Sequence, residues 1–230
     1  MITAAVVPVK QLENAKQRLS DVLTPDERNG LVRTMVEDVL TALRASDLID
    51  RILVVTKDPA VMELAATYDA EVMLEPEQSG LIPAVTEAGR LLSAQDVDTM
   101  LFVPGDIPLL GTDELAVVLN GTGISSEPEF VIVPASDFGG SNCVVCSPPD
   151  CMAFGFGEDS FRRHLGIART LGIEPVVAKL PDIGLDVDTV DDLIELTAEL
   201  ENRQIDTKTH RFLRDSGIID RLSPGLLQIG

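Results

Sequence analysis

The sequence predicts an α/β fold with a mostly parallel central sheet, helices on both faces and a small antiparallel excursion. Short apolar runs alternate with amphipathic segments of helical period along the chain, and this alternation is typical of βαβ crossovers. The 230 residues contain no repeat, low-complexity tract or linker. We therefore expect a single domain of residues 1–230.

The first half of the chain follows this alternation unit by unit. An apolar run at Ile2–Val9 predicts a buried strand, and Pro25 with an acidic first turn predicts the start of a long helix. The units that follow are predicted at Arg51–Thr56 (strand), Pro59–Tyr68 (helix), Ala70–Leu74 (strand), Leu81–Leu92 (helix), Thr99–Val103 (strand) and Thr112–Leu119 (helix).

The second half departs from the alternation. After a strand at Phe130–Pro134, the segment SDFGGSNCVVCSPP indicates a turn, a short strand and a second turn, which predicts the antiparallel excursion beside the main sheet. A helix at Ser160–Leu171, a strand at Glu174–Lys179 and a helix at Val190–Leu200 complete the predicted core. The tail from about residue 207 has helical character through Leu222 and then frays.

Charge and composition exclude several classes of function. A formal net charge of −20 opposes binding to nucleic acid or to an anionic membrane. No apolar stretch is long enough to span a bilayer, and the opening residues lack the basic segment and cleavage site of a secretory signal. Three cysteines are too few for a disulfide scaffold. We expect a cytoplasmic protein with no nucleic-acid or membrane partner.

Two acidic segments mark the expected site. PGDIPLL places Asp106 at the end of one apolar run, and GLDVDT places Asp186 and Asp188 at the end of another. If these strands lie side by side, the carboxylates share a small volume in which their repulsion favours a bridging cation, and Mg²⁺ suits such oxygen ligands. The alternatives are a turn-forming role for Asp106 and a helix-capping role for Asp188.

A cluster of cations follows the first strand. Lys10, Lys16 and Arg18 lie within PVKQLENAKQRLS, where parallel sheets bind ligands beyond the carboxyl ends of their strands. Because the chain as a whole repels anions, the cluster predicts a phosphate site. A solvated loop with ordinary surface cations is the alternative.

Two glycine-containing segments offer backbone N–H groups to a small anion. Ser141 follows DFGG, and Gly157 and Ser160 lie in FGEDSF at the start of a predicted helix. A hairpin turn and a helix cap explain the same residues equally well. The C-x-x-C pair of Cys143 and Cys146 is not expected to bind one metal, because residues three apart on a strand point to opposite faces.

The two histidines support no nucleophilic catalysis. Neither His164 nor His210 has an adjacent Ser or Cys nucleophile in an elbow motif. His164 follows Ser160 by one helical turn, where it lines the pocket or lies on the helix surface, and the surface position is the favoured interpretation.

As a set, these motifs resemble the guanylyltransferases of coenzyme F420 biosynthesis, a family related to molybdenum-cofactor and sugar-phosphate nucleotidyltransferases. The matching segments are PVK, AKQRL, GLIPAV, PGDIPLL, DFGGSN, FGEDSF and LDVDT, in family order from Val9 to Asp192. The resemblance implies a single-domain nucleotidyltransferase fold of the GT-A, nucleotide-diphospho-sugar transferase-like type. It also implies transfer of GMP from GTP to 2-phospho-L-lactate, phosphoenolpyruvate or 3-phospho-D-glycerate, with release of pyrophosphate.

Carried over by position, the resemblance implies roles for individual residues. The residues that would bind Mg²⁺ and carry catalysis are Asp106, Asp186 and Asp188. The residues that would bind GTP are Lys10, Lys16, Arg18 and Gly80, and those that would bind the acid are Ser141, Gly157 and Ser160. The chain departs from the family at Ile82, which replaces the amide of a G-L-N segment, and at Ser141, where threonine is frequent.

Other functions and partners fit parts of the pattern. A related nucleotidyltransferase or glycosyltransferase would use the Asp-x-Asp on a sugar phosphate or nucleotide sugar, and a non-catalytic protein would only bind GTP. Three converging carboxylates favour catalysis over binding alone, because phosphoryl transfer commonly requires metal ligands. A downstream transferase that takes the product is a candidate partner, and the helix at Thr209–Leu222 is a candidate dimer surface.

Overall fold

The computed structural model describes residues 1–226, and residues 227–230, the end of the predicted tail, lie outside them. The strands are β1 (Thr3–Pro8), β2 (Arg51–Thr56), β3 (Glu71–Leu74), β4 (Thr99–Phe102), β5 (Glu129–Pro134), β6 (Ser141–Ser147) and β7 (Val176–Val177). The helices are α1 (Pro25–Ala45), α2 (Pro59–Ala66), α3 (Leu81–Ser93), α4 (Thr112–Leu119), α5 (Ser160–Thr170), α6 (Pro181–Gly184), α7 (Val190–Arg203), α8 (Lys208–Asp215) and α9 (Ile218–Leu226). The alternation predicted for the first half is confirmed.

The described strands form one seven-stranded sheet in the order β3-β2-β1-β4-β6-β5-β7. β1 pairs in parallel with β2 and β4, and β2 pairs in parallel with β3. β6 is antiparallel to both of its neighbours, β4 and β5. The predicted antiparallel excursion therefore lies inside the sheet rather than beside it, which agrees with the burial of every residue of β6.

The strand predicted at Glu174–Lys179 is much shorter in the structure. Only Val176–Val177 pair, and they pair with β5 alone at the edge of the sheet. Val176 is 60% exposed. Short edge strands leave few unpaired backbone groups, which limits pairing with other chains.

Two hydrophobic layers cover the two faces of the sheet. One layer contains side chains from α1, α4 and α7, and the other contains side chains from α3 and α5. Cys143 belongs to the first layer and Cys146 to the second, so the two thiols do point to opposite faces of β6. Helices on both faces confirm the predicted α/β fold.

The helical tail packs on α1 of the same chain. Asp38 of α1 accepts hydrogen bonds of 2.8 Å from the N–H groups of Lys208 and Thr209, which satisfies the first turn of α8. Leu213 is buried in the layer that α1 supplies. Part of the apolar face of the tail is thus used within the chain, and its role in a dimer stays a prediction. Within residues 1–226, no helix combines the length and apolar character needed to cross a membrane.

Candidate active site

A cavity of about 650 Å³ opens at the carboxyl ends of β1 to β4. Its lining includes Lys10 after β1, Lys57 after β2, Glu75 after β3 and Asp106 after β4. Because these strands lie in the order β3-β2-β1-β4, Glu75 and Asp106 belong to opposite ends of the row. The cavity therefore lies where a parallel sheet is expected to bind its ligand.

Lys16 joins two of the predicted carboxylates. Its Nζ donates to Asp106 Oδ2 at 2.5 Å and to Asp188 Oδ1 at 2.6 Å. The Lys16 side chain is 9% exposed, whereas that of Asp188 is 49% exposed. Burial alone would lower the pKa of Lys16, but the charges of Asp106 and Asp188 raise it above its ordinary value. Lys16 is therefore a persistent positive charge in the cavity lining.

Asp186 lies beside this ion-paired group. Its carboxylate accepts a 2.9 Å hydrogen bond from Asn142 Nδ2, which also donates to the carbonyl of Gly184 at 3.1 Å. Burial raises the pKa of Asp186, and the charges of Asp106 and Asp188 raise it further against the opposing bond from Asn142. The three carboxylates are thus close enough for their charges to interact.

The segment that carries Asp188 is tied to the Asp106 turn through the backbone. The N–H of Val187 donates to the Asp106 carbonyl at 3.1 Å. Thr189 is the N-cap of α7, and Asp192 completes its capping box. The capping alternative for Asp188 is therefore wrong, and its carboxylate is engaged by Lys16 instead.

The oxygen donors of this group suit a hard cation such as Mg²⁺. Across residues 1–226, however, no set of three or more His, Cys, Asp or Glu side chains is arranged to hold a metal ion. The Lys16 ammonium lies between Asp106 and Asp188 and bonds an oxygen of each. The donor chemistry fits the ion, and Lys16 competes for the same oxygens.

The other residues predicted to bind the nucleotide differ in their position relative to the cavity. Lys10 and Gly80 line the cavity. Arg18 is exposed and, in the part of the chain that the structure describes, is not among the lining residues. Gly80 is the N-cap of α3 with φ 136°, a conformation that a side chain would strain. Their contacts with a nucleotide stay predictions.

The two serines predicted to bind the acid substrate lie at the starts of β6 and α5. Ser160 Oγ lies 3.1 Å from Ser141 Oγ, and both side chains are buried. Gly157 has φ 109°, and its carbonyl accepts from the N–H of Ser160 at 3.1 Å. Asp159, the N-cap of α5, makes no side-chain capping bond. Ser160 is the first residue of α5 and not its N-cap, so the capping alternative does not account for it, whereas the hairpin turn between β5 and β6 is present.

Comparison with known proteins assigns the chain to a family. A family model described as "Guanylyl transferase CofC like" matches residues 3–224. The chain belongs to this family. Its relatives include a phosphoenolpyruvate guanylyltransferase of Conexibacter woesei, 36% identical over 204 residues, with 89% of this chain and 91% of that protein covered. A 2-phospho-L-lactate guanylyltransferase of Methanothermobacter thermautotrophicus is 35% identical over 196 residues, with 85% and 84% covered.

Solved structures share the fold of this CofC-like guanylyltransferase. A Desulfovibrio desulfuricans protein described as a nucleotide-diphospho-sugar transferase matches with a TM-score of 0.79 at 21% identity, over 96% of this chain and 99% of that chain. The 4-diphosphocytidyl-2C-methyl-D-erythritol synthase of Anaerococcus prevotii has a TM-score of 0.59 at 12% identity, over 87% and 96%. The nucleotidyltransferase fold that the sequence motifs imply is confirmed.

Two charged cavity residues of the CofC-like guanylyltransferase are not singled out by its sequence. Lys57 and Glu75 form a 3.3 Å ion pair, and Glu75 Oε1 accepts from Ser79 Oγ at 2.9 Å and from Gly80 N–H at 3.4 Å. Although burial acts in the opposite direction, bonds from Ser79 and Lys57 lower the pKa of Glu75. Their positions directly after β2 and β3 are the signal that could have identified them.

His164 is fully buried, and the expected surface position is wrong. Its ring lies 4.8 Å from that of Phe156 between centroids. Nε2 accepts from the N–H of Gly155 at 2.9 Å, and Nδ1 lies 3.0 Å from Ser141 Oγ. Burial, and secondarily the charge of Arg163, lowers the pKa of His164 to about 4. Arg162 and Arg163 directly precede His164, so the local sequence of α5 does not indicate that this position is buried.

The neutral, buried His164 predicts a loss of stability in acid. Because folding lowers its pKa from 6.5 to about 4, the unfolded chain binds a proton between these values that the folded chain does not. The contribution of His164 to the free energy of unfolding should therefore rise by about 3 kcal/mol from pH 4 to pH 6.5. Urea unfolding at a series of pH values should show this rise in the wild type and in His210→Phe but not in His164→Phe. An equal rise in all three proteins would contradict the prediction.

Proposed function

We propose that this CofC-like guanylyltransferase transfers GMP from GTP to a phosphorylated three-carbon acid and releases pyrophosphate, as a step in coenzyme F420 biosynthesis. The main support for the proposal is that Lys16 donates hydrogen bonds to Asp106 and Asp188 in the cavity lining. The serine pair of β6 and α5 is linked to this group along the chain, because Asn142, the residue after Ser141, bonds Asp186. Cations and carboxylates suited to an anionic substrate and its counter-ion thus lie together in the cavity.

We assign roles on this basis. Lys10, Lys16 and Arg18 contact the GTP phosphates, Gly80 lies at the base, and the acid is held by Ser141, Gly157 and Ser160. Asp106, Asp186 and Asp188 hold Mg²⁺, which when bound neutralises charge on the two anions brought together. We also propose that residues 1–230 act as one cytoplasmic domain, with the helical tail from about 207 as part of it and a downstream transferase as recipient of the product.

The proposed reaction needs no general base. A phosphomonoester has a second pKa of about 6, so at neutral pH the acid substrate is already largely a dianion. One of its phosphate oxygens forms a bond to the α-phosphorus of GTP. The bond from the α-phosphorus to the oxygen that bridges it to the β-phosphorus breaks, and pyrophosphate leaves. The chain supplies alignment and positive charge. The neutral state of His164 is consistent with this chemistry.

We propose phosphoenolpyruvate as the acid, because the relative from Conexibacter woesei, 36% identical, is named a phosphoenolpyruvate guanylyltransferase. The test is pyrophosphate release from purified protein with GTP and Mg²⁺, in parallel with phosphoenolpyruvate, 2-phospho-L-lactate, 3-phospho-D-glycerate and a sugar phosphate. Release that requires phosphoenolpyruvate would support the proposal. Release with another of the acids would correct the substrate, and release with a sugar phosphate alone would replace the proposed reaction.

Glu75 is expected to contribute to the choice of guanine. Its carboxylate bonds Gly80, which lies in the segment that the resemblance assigns to the base. A carboxylate accepts about four hydrogen bonds, so one acceptor position remains beyond those used by Ser79, Gly80 and Lys57. Guanine presents an N–H donor at N1, which the remaining acceptor position could bind, whereas adenine presents an acceptor at N1, which a carboxylate repels. Glu75→Gln should therefore lower the preference for GTP over ATP about tenfold.

The measurement is kcat/KM for GTP and for ATP at a saturating concentration of the acid. Glu77→Gln is the matched control, because Glu77 is an exposed neighbour of the same charge. An unchanged ratio of GTP to ATP in Glu75→Gln would remove Glu75 from base selection.

A further inference from the structure

The hydrogen bonds around His164 define its tautomer. The backbone N–H of Gly155 can only donate, and it lies 2.9 Å from Nε2, so Nε2 carries no proton. A neutral imidazole carries one ring proton, which is therefore on Nδ1. The ring is neutral near pH 7, because burial lowers the pKa of His164 to about 4. The Nδ1–H group thus donates to Ser141 Oγ across 3.0 Å, with the backbone carbonyl of Ser160, one turn earlier in α5, as a second partner of the ring.

This donation orders the two serine hydroxyls. Ser141 Oγ lies 3.1 Å from Ser160 Oγ, so one hydroxyl donates to the other. Within the described residues, neither serine oxygen has a further hydrogen-bond acceptor. The two hydroxyl groups carry two protons, and the hydrogen bond between them uses only one. The other proton is available to a ligand, whichever serine donates within the pair.

The opposite tautomer would reverse the character of the pair. Nδ1 would then accept the proton of Ser141, and Ser141 would accept the proton of Ser160. No hydroxyl proton would be left, and the pair would present only lone pairs, which repel a carboxylate. The position of one proton on His164 therefore decides whether the pair attracts or repels an anion.

We infer that His164 is a positioning residue, whose Nδ1–H donation to Ser141 leaves one hydroxyl of the Ser141–Ser160 pair free to donate to the carboxylate of the acid substrate. The inference rests on the proposed function, which supplies the anionic ligand. Asn142, the residue after Ser141 on β6, bonds the carboxylate of Asp186, so one residue along the chain separates the pair from the proposed metal ligands. His164 itself is fully buried and does not touch solvent, so it acts through Ser141.

Two substitutions separate this role from a structural one. His164→Phe keeps a planar ring among neighbouring aromatics but removes the donor, whereas His164→Asn places an amide N–H where Nδ1–H lies. His164→Phe removes the bond that orients the Ser141 hydroxyl, so the free proton of the pair is no longer held toward the ligand, and we expect a rise of about tenfold in KM for phosphoenolpyruvate. The KM for GTP should change less than about twofold, and His164→Asn should recover most of the loss. His210→Phe is the control and should leave both values unchanged.

The outcomes distinguish this inference from the proposed function. An active His164→Phe enzyme with an unchanged KM for the acid, or with both KM values raised equally, would overturn the inference alone. Wild-type protein that releases no pyrophosphate with any of the acids would overturn both. ¹⁵N NMR of the imidazole provides a readout that needs no turnover: a neutral Nδ1–H ring supports the inference, and a neutral Nε2–H ring overturns it.

Discussion

Asp188→Asn is expected to lower turnover at least about 100-fold while the protein stays folded, because an electrostatic group aimed at the reacting phosphates is lost. The substitution is nearly isosteric, and the amide oxygen can still accept from Lys16. The Asp188 side chain is half exposed, so the loss of its ion pair should cost little stability. The measurements are pyrophosphate release at saturating GTP and acid, together with thermal unfolding.

Asp191→Asn is the matched control for this experiment. Asp191 is an exposed carboxylate in the first turn of α7, a few positions from Asp188. It should retain turnover and melt like the wild type. Near-normal turnover in Asp188→Asn would contradict the role assigned to Asp188, and a large loss in Asp191→Asn would show that the effect is not local.

Lys16→Met is expected to lower turnover and to raise the affinity of the free protein for Mg²⁺. Turnover should fall at least about 100-fold, because the buried cation assigned to the GTP phosphates is removed. Binding of Mg²⁺ to the free protein should tighten, because Asp106 and Asp188 lose the ammonium that now occupies an oxygen of each and their repulsion then favours another cation. Because the lost bonds join an ammonium to charged oxygens, we expect the affinity for Mg²⁺ to rise about tenfold.

The binding part of this prediction is measured without turnover. A ligand that binds the folded state raises the melting temperature, so added Mg²⁺ should stabilise Lys16→Met more than the wild type. Lys10→Met is the control for this response, because Lys10 lines the cavity without an ion pair to either carboxylate in the described structure. Equal stabilisation of wild type and Lys16→Met by Mg²⁺ would show that Lys16 does not compete for the site.

Local patterns in the sequence are sufficient for most of the fold. The apolar run of β1 and the helical stripe of α1 follow from periods that neighbouring residues define. The position of β6 does not follow, because a strand of seven buried residues is equally compatible with the inside of a sheet and with a small sheet beside it. The strand predicted at Glu174–Lys179 shortens to β7 because its pairing is limited to one neighbour, β5.

The candidate site divides in the same way. The motifs around Asp106, Asp188 and Ser141 are recognisable in the sequence, because residue type and spacing carry the resemblance. The burial of His164 and the cavity position of Glu75 are not, because a polar residue on a short helix or after a strand has no periodic signal.

The sequence by itself determined the order of strands and helices, the residue types at the strand ends and the family. Only the tertiary structure decided that Lys16 contacts Asp106, 90 positions away, and Asp188, 172 positions away. It also decided that the two nitrogens of His164 are occupied by Gly155 and Ser141. The physical reason is that periodicity reports only a residue's near neighbours, whereas contacts between distant segments depend on sheet order and on the helix face that packs.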